Sequence, residues 1–178
     1  MDFVKIDSSY KDIEKLKRLK EEAFPSLDNI NVETFIIMQE NAEGHSYAVY
    51  DEGCLIGYIV FIEKDSDAYI VNLAVEKNAR GKSYGSKILN SVMNYFKKKN
   101  PNAYFALVVE KPHENAENLA QRQARIKFYE RQGFYLTDLA VPYHGEQYIL
   151  MTTEKEQEFK KHQPFSEYVN NILDKYDF

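Results

Sequence analysis

The chain has 178 residues, 44% hydrophobic and 29% charged, a balance that excludes intrinsic disorder and allows one domain with its own core. Its 23 basic and 28 acidic residues leave a net charge of −5, which lacks the basic footprint of a general nucleic-acid binder. The single cysteine, Cys54, excludes an internal disulfide, and no apolar run approaches the ~20 residues of a membrane span.

The first residues, Met1-Asp2-Phe3-Val4-Lys5, carry no apolar signal region, so a cytoplasmic protein that binds neither nucleic acid nor membrane is expected. A short strand is predicted at Val4 to Ile6. Ile13, Leu16, Leu19 and Ala23 recur at helical spacing until Pro25, and a weaker helix runs through Val32, Phe35, Ile36 and Met38. After Gly44 the period shortens. Residues 47–50 and 55–62 read as two strands about the turn Asp51-Glu52-Gly53, and residues 68–75 as a third. Cys54, set in this apolar stretch, is read as a small buried hydrophobe.

A glycine-containing turn, Asn78 to Ser86, opens onto Ile88, Leu89, Val92, Met93 and Phe96, a buried helical stripe that Lys97 to Lys99 and Asn100-Pro101 terminate. Residues 103–109 are continuously apolar, as in a strand covered on both faces. A helix over about 118–132 ends at Gly133, and strands near 134–139 and 147–152 flank His144-Gly145. Phe165, Tyr168, Val169, Ile172, Leu173 and Tyr176 form a final amphipathic stripe, suited to the chain's own sheet or to a subunit contact in a homodimer. The order is that of a mixed α/β (α+β) domain.

The strand–turn–helix over residues 69–96 carries the chemistry. A helix start presents unpaired N–H groups and positive potential, and nearby glycines let a ligand approach the backbone. With Arg80 and Lys82 beside it, the turn suits a phosphate or pyrophosphate. Neither G-x-x-x-x-G-K-[ST] nor G-x-G-x-x-G is present, which argues against a nucleoside triphosphatase or a nicotinamide enzyme. His45, His113, His144 and His162 are scattered, so no metal is expected.

Residues 69–75 followed by Arg80-Gly81-Lys82-Ser83-Tyr84-Gly85-Ser86 resemble the acyl-CoA-binding motif of the GNAT superfamily of N-acetyltransferases, [RQ]-x-x-G-x-[GA] at a helix start after a bulged strand. Ile126-Lys127-Phe128-Tyr129-Glu130-Arg131-Gln132-Gly133-Phe134 is similar to a second segment of that family. The element order agrees over residues 1 to about 153, leaving 154–178 as a C-terminal helical extension of a single domain. The resemblance implies a mostly antiparallel twisted sheet of about seven strands with helices on both faces.

It also implies that acetyl-CoA is the cosubstrate. The bulged strand, at Leu73, Ala74 and Val75, would pair with its pantetheine arm, and the Val75 N–H would polarise the thioester carbonyl. The backbone from Arg80 through Gly81, Lys82, Ser83, Tyr84, Gly85 and Ser86 would cradle the pyrophosphate. Two strands would splay to admit the arm, with a small-molecule or peptide amine arriving from the opposite side. Tyr129 matches the tyrosine that protonates the departing thiolate. Glu110, at the end of an apolar strand, is the candidate base, with a solvated carboxylate as the alternative and Glu63 as a second candidate. Tyr143, His144, Glu146 and Tyr148, or Glu21, Glu22, Phe24 and Pro25, could form the acceptor wall. Two positions depart from the pattern: Ser83 stands for a glycine, and Arg122 for an asparagine seven residues before the tyrosine. They motivate a rival reading, a CoA-binding or protein-interaction module without catalysis. Arg125 is expected to pair with a surface carboxylate.

Overall fold

The computed structural model describes residues 1–24, 31–143, 145–155 and 161–176. In chain order the elements are β1 (Asp2–Lys5), α1 (Ile13–Ala23), α2 (Val32–Glu40), β2 (His45–Asp51), β3 (Cys54–Lys64), β4 (Asp67–Val75), α3 (Tyr84–Lys99), β5 (Phe105–Glu110), α4 (Leu119–Arg131), β6 (Tyr135–Tyr143), β7 (Glu146–Thr152) and α5 (Gln163–Lys175). Pro25 and His144, expected as helix breaker and turn, lie outside the described residues.

Seven strands form one sheet in the order β1-β2-β3-β4-β5-β7-β6. Every neighbouring pair is antiparallel except β4 with β5. The helices divide between the faces. On one face α3 buries Ile88, Leu89, Val92, Met93 and Phe96 against Ile59, Phe61, Phe105 and Leu107. Phe96 makes edge-on contacts with Phe61 and Phe105 at 5.8 Å, the geometry that ring quadrupoles favour. On the other face, Leu16 and Leu19 of α1 and Phe35 of α2 pack with Tyr58 and Val60. Asn31 caps α2, its side chain accepting from the Thr34 N–H at 2.8 Å.

The C-terminal stripe packs onto the chain's own sheet. Phe165, Val169 and Ile172 are buried with Tyr69, Tyr104 and Ala106, on the same face as α1 and α2. Both ends of α5 are tied down. His162 stacks on Tyr104 with ring centroids 3.7 Å apart, and its two nitrogens lie 3.3 and 3.1 Å from Asp67 and Glu154. At the far end Lys175 sits 2.7 Å from Glu43, which also accepts from the Tyr176 hydroxyl.

Cys54 departs from expectation: it is exposed. It is paired with Asp51 across the β2–β3 turn, where the hairpin reverses in solvent, so its apolar neighbours in sequence do not enclose it.

Candidate active site

The parallel pair at the centre of the sheet is brief. β4 and β5 share two register pairs, Ala68 with Phe105 and Tyr69 with Ala106, and then diverge. The expected splay is therefore present. The bulge lies earlier than the sequence suggests: the β3 register steps from Val60 opposite Asn72 to Phe61 opposite Ile70, leaving Val71 unmatched rather than Leu73 to Val75. The extra residue shifts the pleat by one, so Val71 and Asn72 face the same side. Asn72 accepts from the buried Tyr58 hydroxyl at 2.8 Å on that side.

Downstream of the bulge the backbone alternates. The Glu76 N–H donates to the Ile56 carbonyl at 2.9 Å, and the Ala74 carbonyl faces Gly57, so both point toward β3. The peptide groups of Leu73 and Val75 must then point the other way, into the gap that β5 has vacated. The Val75 carbonyl is met there by Arg80, whose Nε donates to it at 3.1 Å. A short 3₁₀ turn, Lys77–Ala79, leads into the loop.

The loop ends at Ser83, whose φ of 62° and ψ of 15° are left-handed, and whose hydroxyl does not cap the helix. The first helical bond runs from the Lys87 N–H to the Ser83 carbonyl at 3.0 Å. The N–H groups of Tyr84, Gly85 and Ser86 are thus the unsatisfied first-turn donors, with the positive end of a 16-residue helix behind them. Tyr84 fixes the turn by donating to Asp51 at 2.6 Å, a bond that holds the Asp51 carboxyl below its ordinary range. A Cβ at Gly85 would lie 3.4 Å from the Phe128 ring, so glycine there lets α4 close down on the loop.

A cleft of about 800 Å³ runs through the gap, lined by residues from both faces of the sheet. Of the residues expected to hold a ligand, all but Ala74 and Lys82 line it. Ala74 is buried toward α1 and α2, and Lys82 is exposed on the loop. Tyr129 lies against Phe128 and Phe134 and lines the cleft. Burial pushes its phenol up to about 12, opposed by the nearby Arg125 guanidinium. It therefore holds its proton throughout the neutral range.

Glu110 also lines the cleft, but it is neither solvated nor free. Its residue is 6% exposed, Arg125 Nη1 pairs with one oxygen, and Arg122 Nη2 lies 3.8 Å from the other. Each oxygen of this carboxylate therefore faces a guanidinium, with Arg125 the closer of the two. Arg125 thus finds a buried carboxylate rather than a surface one, and its guanidinium also covers the Phe24 ring at 5.2 Å. Arg122, where the pattern has asparagine, is buried and joins three elements. It donates to Asn118 at 2.7 Å, to the Lys111 carbonyl at 3.0 Å and to Glu146 at 3.0 Å.

The remaining candidates separate. Glu63 lies outside the cleft, 3.2 Å from His45 and 3.6 Å from Lys99. Glu21 and Glu22 are exposed and line nothing here, whereas Phe24 and Tyr148 do. The Tyr143 side chain and His144 lie outside what the structure describes. Sequence reasoning missed Leu139 and Val141 of β6 and the inner face of α5; the two-residue spacing of apolar side chains on β6 was the available signal.

The chain is similar in sequence and fold to known acetyltransferases. The sequence model of the Acetyltransferase (GNAT) family matches residues 13–134. An uncharacterized N-acetyltransferase of Methanocaldococcus jannaschii is 28% identical over 150 residues, covering 83% of this chain and 88% of its own. Among solved structures, a Bacteroides thetaiotaomicron protein assigned to the GNAT family superposes with a TM-score of 0.69 at 21% identity, covering 100% of this chain and 99% of that one. An aminoglycoside 6'-N-acetyltransferase complexed with coenzyme A gives 0.64 at 18% identity, over 85% of this chain and 96% of its own. A GNAT acetyltransferase from Elizabethkingia anophelis with acetyl-CoA bound gives 0.58 at 18%, over 86% and 97%. With a family match over more than half its length, and the splayed seven-stranded fold around one cleft, the chain belongs to the GNAT family of acetyltransferases and is an acyltransferase enzyme.

Proposed function

We propose that the protein transfers an acetyl group from acetyl-CoA to a primary amine by direct attack. The observation that carries this reading is the convergence, in one cleft through the sheet, of an open backbone edge at Leu73 and Val75, the helix start at Ser83 to Ser86, and a protonated Tyr129. Acetyl-CoA would supply the acetyl group as a thioester. The Leu73 and Val75 peptide groups would pair with its amide arm, and the first-turn N–H groups with Arg80 would hold its pyrophosphate. The N–H of Val75, turned away from β3, would polarise the carbonyl.

Attack forms an N–C bond and breaks the C–S bond. The sulfur gains one proton and the nitrogen loses one. Tyr129 holds the first at its hydroxyl, and a phenol that remains protonated is an acid rather than a base. The nitrogen's proton leaves by water along the open cleft. Glu110 is the second reading for its acceptor, favoured because it is the one carboxylate among the described residues lining the cleft, and opposed by its pairing with Arg125.

Tyr129→Phe tests the acid role. Turnover is expected to fall about 10²-fold or more, while the acetyl-CoA dissociation constant, measured by calorimetry, stays the same. Undiminished turnover would remove Tyr129 from the chemistry. Absence of saturable acetyl-CoA binding to the folded protein would remove the acetyl-transfer reading.

A further inference from the structure

The two halves of the cleft differ in chemistry. On the α3 side loop backbone and Arg80 join Leu73, Val75, Phe128 and Tyr129. On the α5 side its walls are mainly apolar: Val71 of β4, Val108 of β5, Leu150 of β7, and Val169 and Leu173 of α5, with Asn72, Ser166 and Asn170 as the polar side chains among them. Across from α5, β6 contributes Leu139 and Val141, large hydrophobic side chains that stay 46% and 40% exposed. Val141 is the register partner of Tyr148, and Tyr148 of Glu110, so the pleat sets these residues on one face. Contiguous apolar side chains exposed around a concavity mark where a ligand's apolar surface is buried.

Charge points the same way. Among the described residues lining the cleft, the one carboxylate is Glu110, against the guanidiniums of Arg80, Arg125 and Arg131. Glu110 is already held by Arg125 and Arg122. Among the described lining residues, an acceptor with several ammonium groups would find only this paired carboxylate in exchange for the water stripped from each.

We infer that the acceptor is a small primary monoamine with an aliphatic or aromatic body. The body lies between α5 and the β6–β7 strands, with its nitrogen toward the gap between β4 and β5. Leu139 and Val141 are specificity-determining residues for it. This deepens, and rests on, the acetyl-transfer reading above.

The test measures thiol release from acetyl-CoA by the full chain. Acceptors are phenethylamine and isopentylamine, against spermidine, kanamycin and a tetrapeptide with an apolar N-terminal residue. The monoamines are expected to show kcat/KM at least about tenfold above the polycations and the peptide. Leu139→Glu and Val141→Glu, both at exposed positions, should each raise KM for phenethylamine about tenfold with kcat within about twofold. The acetyl-CoA dissociation constant should not move, which a general disturbance of the fold would not allow. Preference for spermidine, kanamycin or the peptide overturns the inference. So does an unchanged phenethylamine KM in both variants, or no transfer to either monoamine by a chain that binds acetyl-CoA. Loss of acetyl-CoA binding in the unaltered chain removes the acetyl-transfer reading and this inference together.

Discussion

Ser83 occupies a backbone angle that glycine would hold without a Cβ clash, at the point where the loop turns into α3. A non-glycine residue there costs about 1–2 kcal/mol, less what glycine loses in the unfolded chain, about 0.5–1 kcal/mol. Ser83→Gly should therefore stabilise the fold by up to about 1.5 kcal/mol, read as a higher urea midpoint with an unchanged slope. His45 provides a second residue-scale test. Burial against Phe61 lowers its pKa below the ordinary histidine value of 6.5, with Glu63 opposing and Lys5 and Lys99 assisting. The unfolded chain thus takes up that proton first as the pH falls. The contribution is intact above 6.5 and is lost as the pH drops through the lowered value. Urea midpoints between pH 7 and 5 should decline less in His45→Gln than in the unaltered chain. Tyr129 has the opposite sign: its raised phenol stabilises the fold below the ordinary value of 10, and that stability is lost as pH climbs toward about 12.

At the scale of elements, α5 shows both what a periodic sequence reveals and where it stops. The stripe at Phe165, Val169 and Ile172 specifies a helix with one apolar face, and the helix is there. No one-dimensional period says which surface receives that face. The answer depends on Tyr69 of β4 and Tyr104, just before β5, belonging to one buried cluster, and on His162 reaching back to Asp67. Ile172→Ala should cost about 2–4 kcal/mol, measured by denaturant unfolding, because the side chain is buried between α5 and its neighbours. The bulge was legible only approximately for a similar reason. Apart from Asn72, residues 68–75 are all apolar or aromatic, so alternation cannot locate one extra residue; the step from Asn72 to Ile70 opposite β3 is a property of pairing. The pairing of Glu110 was hidden too. Arg122 and Arg125 are 12 and 15 positions away, and only the docking of α4 against the end of β5 brings them to one carboxylate.

At the scale of the molecule, the sheet is two sets of strands, β1 to β4 and β5 to β7, hydrogen-bonded to each other through two register pairs. Cohesion between the sets falls to the side chains above and below. Phe96 bridges Phe61 and Phe105 on one face, and α5 spans Tyr69, Tyr104 and Leu150 on the other. This is why the C-terminal helix is a structural part of the domain as well as a wall of its cleft. The family motifs pointed to the gap, but its depth and apolar lining follow from how these two layers hold it open. The gap also leaves a kinetic imprint on the polypeptide itself. Leu73 and Val75 direct their amides away from β3 while Ala74 and Glu76 direct theirs toward it, so deuterium uptake along this one strand should rise and fall residue by residue. Leu73 and Val75 should exchange as fast as a loop, with Ala74 between them slow, and saturation with acetyl-CoA should level the saw-tooth.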